Sequence, residues 1–134
     1  MNIEKYLENL TRRAPMSDSA LTKSQDQLGI KLPNDYLELL SVTNGGEGFI
    51  GKNSYVILWG VEELATMNQS YQVQEYAPGL LIFGSDGGGE AYGFDTRMQL
   101  WHIVQVPFVG MDWALAQPVG KSVGDFLKHL YEAG

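Results

Sequence analysis

The sequence predicts an α+β fold: a central, mostly antiparallel sheet with helices packed at the N-terminus, in mid-chain and at the C-terminus. Apolar residues recur at helical spacing at both ends, in Ile3, Tyr6, Leu7 and Leu10 and again in Phe126, Leu127 and Leu130. Between them lie runs with the composition of strands: Tyr55–Trp59, Leu80–Phe83, Ala91–Phe94 and Leu100–Val106.

Taken in order, Ile3, Tyr6, Leu7 and Leu10 predict a first amphipathic helix, ended by Arg12-Arg13-Ala14-Pro15. Ser17, Asp18 or Ser19 can cap a second helix, which carries Leu21 and Leu28 inward and stops at Gly29. Pro33 suits the first turn of a third helix, where a missing N–H costs nothing. Tyr36, Leu39, Leu40 and Thr43 form one face of it. Asn44-Gly45-Gly46 should stop it, because glycine accepts the left-handed geometry of a helix end. Gly48 and Gly51 bracket Phe49-Ile50, an aromatic anchor on an otherwise flexible stretch.

Tyr55–Trp59 reads as a strand broken by Gly60. Val61, Leu64, Met67 or Asn68, and Tyr71 predict a helix with Glu62 and Glu63 in its first turn, where the dipole favours acids. Pro78-Gly79 is a turn. Leu80–Phe83 and Ala91–Phe94 pair across a glycine-rich loop at 84–90, and a further strand ends at Pro107. Met111–Ala116 adds a last short strand, and Val123–Tyr131 is the closing helix.

A chain of 134 residues with 44% hydrophobic and 19% charged residues is read as a single domain, 1–134, able to bury its own core. There is no cysteine, which excludes disulfides and thiolate chemistry and fits a reducing cytoplasm. No signal-peptide core and no membrane-length apolar run is present, so a cytoplasmic location is expected. The net charge of −7 is unevenly placed: residues 53–120 hold seven acids against Arg97 alone. Such a segment repels nucleic-acid phosphates and anionic membranes, and it speeds encounter with a basic partner.

Two motifs resemble catalytic ones and are declined on chemistry. The loop Gly84-Ser85-Asp86-Gly87-Gly88-Gly89-Glu90 has no cation to hold a phosphate, and its acids lack the spacing of a calcium loop. A hairpin turn is the main reading, with a weak calcium site as its rival. Gly120-Lys121-Ser122-Val123-Gly124 matches the serine-hydrolase elbow, but only His129 follows it, seven residues on in a helix, and 134 residues are few for that fold. Ser122 reads instead as the cap of the last helix, with Asp125 at its third position. His102 and His129 are the only histidines and have no ligand spacing, so neither a metal nor a cofactor is expected.

Leu32-Pro33, Tyr36, Leu40 and Asn44-Gly45-Gly46, followed by Gly84-Ser85-Asp86-Gly87-Gly88 and Ser122-Val123-Gly124-Asp125-Phe126-Leu127, resemble the signature of the SUKH superfamily. That superfamily includes fungal cell-wall-synthesis regulators and bacterial immunity proteins of polymorphic toxin systems. The resemblance implies a non-catalytic, partner-binding α+β domain, and the short chain looks like the bacterial immunity branch. A basic toxin domain such as a nuclease is the partner the charge would favour. The alternatives are a regulatory scaffold for a host protein and a small hydrolase. The signature positions Leu32, Pro33, Tyr36, Asn44, Gly45, Gly46, Gly84 and Ser122 read as fold-makers. The candidate partner contacts are aromatics and acids in or beside the sheet: Trp59, Glu62, Asp86, Glu90, Tyr92, Asp95, Asp112 and Trp113.

The capping assignment carries its own test. Ser122→Ala should lower stability by roughly 1 kcal/mol, read from the melting temperature, because a helix N–H loses its acceptor. An unchanged melting temperature would contradict the cap.

Overall fold

The computed structural model describes residues 2–133. Its seven strands are β1 (Leu10–Arg12), β2 (Gly46–Ile50), β3 (Ser54–Leu58), β4 (Leu80–Ser85), β5 (Glu90–Asp95), β6 (His102–Pro107) and β7 (Gln117–Gly120). They form one antiparallel sheet in chain order. Six helices accompany it: α1 (Glu4–Leu7), α2 (Asp18–Leu28), α3 (Asn34–Val42), α4 (Leu64–Ser70), α5 (Val73–Tyr76) and α6 (Val123–Glu132). The α+β expectation, with helices at both ends and in mid-chain, is what the structure has.

An aromatic cluster binds α3 and α6 to one face of the sheet. Tyr36 on α3 meets Phe83 at 5.5 Å and Phe94 at 5.1 Å between ring centres. Phe126 on α6 meets Phe83 at 5.5 Å and Tyr92 at 4.9 Å, edge to face. All five rings are buried, and such pairs add to the burial of their apolar area. A second tie fixes the two helices to each other: the Val123 N–H donates to Asp35 Oδ2 at 2.7 Å. Ser122 caps α6 as expected, its Oγ accepting from the Asp125 N–H at 3.1 Å. Ser17 caps α2, and Gly29 ends it in the left-handed conformation.

Four local expectations are corrected. The first helix is only one turn, because Leu10 leaves the helical pattern to pair with Gly48 in β1. The glycine-bracketed Phe49-Ile50 is not a flexible stretch but lies in β2, paired along its length with β3. Met111–Ala116 is not a strand: the Asp112 side chain accepts from the Ala114 N–H and starts a 3-10 turn at Trp113–Leu115. The last strand is Gln117–Gly120, whose Pro118 is tolerated because β7 is an edge.

The Asn44-Gly45-Gly46 turn also works differently from a left-handed helix end. The helix stops at Thr43, which is already extended. Gly45, at φ 90°, passes so close to β3 that a Cβ would lie 2.8 Å from the Leu58 carbonyl oxygen. Gly46, at φ 145°, would place its Cβ 2.6 Å from the Thr11 oxygen. The glycines are there for close backbone approach as much as for their dihedral angles. Asn44 ties the next turn down, its Oδ1 accepting from the Val61 N–H at 2.8 Å.

Strand β3 leaves the sheet before it can cover all of β4, and side-chain amides take its place. Asn68, 8% exposed, donates to the Ile82 carbonyl at 2.9 Å and accepts from the Ile82 N–H at 2.9 Å. Gln74 donates to the Leu80 carbonyl and accepts from the Gly79 N–H, at 2.8 and 2.9 Å. Each amide imitates the donor and acceptor pair of a neighbouring strand. The β4 edge is thereby satisfied without a partner strand.

Asn68→Leu should lower stability by about 2–4 kcal/mol, since it leaves both polar groups of Ile82 buried and unpaired. Tyr36→Phe should be nearly neutral in the same melting experiment, because the Tyr36 hydroxyl is buried without a hydrogen-bond partner. A large loss in Tyr36→Phe would show that the hydroxyl is bonded after all.

Candidate functional site

Alternation along β2 and β3 separates two faces. Ile50, Val56 and Leu58 point into the core. Glu47, Phe49, Tyr55 and Ile57 occupy the alternate positions, as the cross-strand pairs Phe49–Tyr55 and Glu47–Ile57. Phe49 is 47% exposed, and Tyr55 and Ile57 are half-buried. The rings of Phe49 and Tyr55 meet edge to face at 5.2 Å. The Tyr55 hydroxyl donates to the Glu47 carboxylate, and that bond raises the phenol's pKa.

Beside this face stands the tip of the β4–β5 hairpin. Tyr55 and Ile57 lie against Gly87. Asp86 Oδ1 accepts from the backbone N–H groups of Gly88 and Glu90, at 2.7 and 3.0 Å, and so shapes the glycine loop as a hairpin turn. Among the described residues, none of Glu47, Asp86 and Glu90 is held in an ion pair, whereas Glu4, Glu63 and Asp95 each have an arginine. Exposed rings bordered by unpaired carboxylates suit a protein partner.

The predicted contact residues fall in three places. Asp86 and Glu90 flank the hairpin tip at this surface. Tyr92 is close enough for their charges to reinforce the effect of burial, which pushes its pKa up to about 12. Yet its ring is only 4% exposed and packs on Phe126, so it supports the sheet and is not a free contact. Trp59, 6% exposed, is likewise core and lies stacked under Tyr71 at 6.4 Å. Glu62 is exposed on the 3-10 turn Val61–Glu63, where its Oε1 accepts from Asn44 Nδ2 at 2.6 Å. Gly84, a fold-maker by its signature, is again a close approach: its Cβ would lie 2.6 Å from the Ile57 oxygen.

Asp95 and Trp113 gather elsewhere, around Arg97, while Asp112 starts the 3-10 turn that carries Trp113. The Arg97 guanidinium forks onto Asp95 at 3.0 and 3.1 Å, and its carbon sits 3.5 Å from the centre of the Trp113 ring. Trp113 Nε1 donates to the Pro78 carbonyl at 2.8 Å. This cluster clasps the loop before β7 onto the β4–β5 sheet, a structural use of the residues.

Sequence reasoning missed Glu47 and Phe49 as surface residues. The period-2 alternation that could have revealed them is interrupted by Gly46 and Gly48, which dilute the strand signal.

A concavity of about 760 Å³ lies between the end of α2, α4, α5 and β4. Glutamines 27, 69, 72 and 74 line it with Glu75 as its single titratable group, which supplies no acid–base pair. Among the described residues no group of His, Cys, Asp and Glu is placed to hold a metal.

The SMI1 / KNR4 family (SUKH-1) matches residues 15–129, which include the Pro33–Gly46 segment, the 84–88 loop and the capped last helix. The chain belongs to the SUKH superfamily. No curated protein matches it. Within this SUKH chain the signature residues Tyr36, Asn44, Gly45, Gly46, Gly84 and Ser122 all serve the fold, through ring packing, turn tethering, close approach and capping. No helix among the described residues is long and apolar enough to cross a membrane.

The Arg97 clasp sets a pH dependence. The guanidinium's hydrogen bonds hold the Asp95 carboxyl below its ordinary value of 3.8, against the opposing effect of burial. A lowered folded pKa adds stability that is complete above the ordinary value and is lost as the pH falls through the folded one. Arg97→Gln should therefore reduce the fall in melting temperature between pH 7 and pH 3. An equal fall in both proteins would place the acid sensitivity elsewhere.

Proposed function

We propose that this SUKH domain is a non-catalytic binding protein, and specifically an immunity protein that neutralises a cognate toxin by direct contact. Membership of a superfamily that includes toxin-immunity proteins supplies the class. The observation that carries the reading for this chain is the uncovered face of β2 and β3, where exposed Phe49 adjoins Tyr55 and the unpaired carboxylates of Glu47 and Asp86. Two strands whose outer face is left open with rings and acids on it are built to meet a macromolecule.

Charge points to the kind of partner. Seven acids against one arginine between residues 53 and 120 favour a basic protein surface, as on a toxin domain that handles nucleic acid. The immunity protein would block such a domain by occupying its cleft or the surface beside it. Binding of this kind makes and breaks no covalent bond and needs no cofactor.

The test is capture of the product of a neighbouring toxin reading frame by the purified chain, followed by affinity measured against salt. Tight binding that weakens roughly tenfold or more between 50 and 500 mM salt is the expected outcome, since opposite charges steer and hold the complex. Salt-independent binding would remove the electrostatic part. Recovery of a housekeeping protein and no toxin would favour a scaffold role.

A further inference from the structure

Resting on the binding role proposed above, we infer that the Glu47–Tyr55–Phe49 unit is an anchor for an arginine flanked by an apolar residue on a basic protein partner.

Three features of the uncovered face specify that occupant. The first is a carboxylate already aimed. Glu47 accepts the Tyr55 hydroxyl, which fixes its rotamer and leaves its other acceptor positions for a donor from outside. A guanidinium, planar and forked, matches a carboxylate in two hydrogen bonds, whereas a lysine ammonium offers one point of charge. The second is an aromatic surface next to that carboxylate. The Tyr55 ring is half-buried against Gly87 and stands edge to face with Phe49, so an arginine reaching Glu47 passes over a ring face that attracts cations. The third is apolar area on either side: Phe49 at 47% exposure and Ile57, the cross-strand neighbour of Glu47. Those two suit an aliphatic side chain two residues from the arginine on an extended segment, where alternate side chains share a face.

The surroundings add to the selectivity. Asp86 and Glu90 border the face without an arginine of their own, so an approaching anionic segment would be repelled. Lys52, at the tip of the β2–β3 hairpin, limits the acidic region on that side and sets the direction from which a basic segment enters. The residues concerned are rigidly held: β2 and β3 are paired over five residues each, and Ile50, Val56 and Leu58 root them in the core. An anchor on rigid strands loses little entropy on binding.

The anchor can be tested without the toxin. Isotope-labelled protein would be titrated with three capped peptides that place charged and aliphatic side chains two residues apart: Arg-Ser-Leu-Ser-Arg, its lysine counterpart, and its glutamate counterpart. The arginine peptide should shift the amide resonances of Glu47, Phe49, Tyr55, Ile57 and Gly87, bind more tightly than the lysine peptide, and leave the groove residues Gln69 and Gln72 unmoved. The glutamate peptide should give no shifts. Glu47→Gln should weaken the arginine peptide at least tenfold, and Phe49→Ala should weaken it similarly, with melting temperatures near that of the parent because both side chains are exposed. Shifts centred on the groove, equal binding of the glutamate peptide, or unchanged binding by Glu47→Gln would overturn the anchor. If the unaltered protein captures its toxin while the peptide gives no shifts on this face, the anchor fails and the immunity reading stands. If the peptide binds as described but no toxin is ever captured, the immunity reading fails and the anchor belongs to another basic partner.

Discussion

The packing of Tyr36, Phe83, Phe94, Phe126 and Tyr92 between two helices and one face of the sheet is the constraint on which the rest depends. It places α3 and α6 side by side over the middle of the meander. It also uses up the aromatic residues of β4 and β5, while α4 and α5 pack against β4 as well, and β4 is buried along its whole length. Strands β2 and β3 lie outside that sandwich on one side. Their inner residues complete the core while their outer ones face solvent, so the same packing that stabilises the chain also defines its open surface.

The second constraint is the sharp economy of connections. The chain passes from α3 to β2 through Asn44, Gly45 and Gly46 with backbone atoms of β1 and β3 almost in contact with the glycine Cα atoms. Asn44 then reaches the 3-10 turn, where Glu63 accepts from the Gly60 N–H and from Arg13 Nη1. Burial pushes the Glu63 carboxyl upward, but these hydrogen bonds and the arginine's charge outweigh it and hold the group below its ordinary value. The family signature thus marks places where backbones touch or turns are tied. Apart from Asp86 and Gly87 at the hairpin tip, it does not mark the surface that would meet a partner, which is consistent with a fold reused against varied partners.

Much of the architecture was legible because helical periodicity is strong where one face packs and the other is solvated, and a strand packed on both faces reads as a continuous apolar run. The last helix, with Phe126, Leu127 and Leu130 inward and Ser122 at its start, and the Leu80–Phe83 and Ala91–Phe94 pair were of this kind. The losses came where local chemistry and tertiary pairing disagree. Leu10 fits a helical stripe but pairs as a strand. Gly46 and Gly48 hide a strand that exists only because its neighbours approach closely. Pro118 hides another that survives only at an edge. For the surface, the hairpin acids Asp86 and Glu90 lie beside the open face, whereas Trp59 and Tyr92, expected as contacts, are core. Aromatic identity alone does not tell which face of a strand a ring takes, and the register that decides it is set by partner strands far along the chain.

The account stands on the claim that the open face of β2 and β3, with the hairpin tip beside it, is where this SUKH domain meets its partner. Hydrogen–deuterium exchange on the chain alone and in complex with the captured toxin measures that most directly. Added protection should concentrate at residues 46–57 and 85–90 and leave α2, α4 and α5 unchanged. Protection confined to the groove between those three helices and β4, with residues 46–57 exchanging as in the free protein, would contradict it.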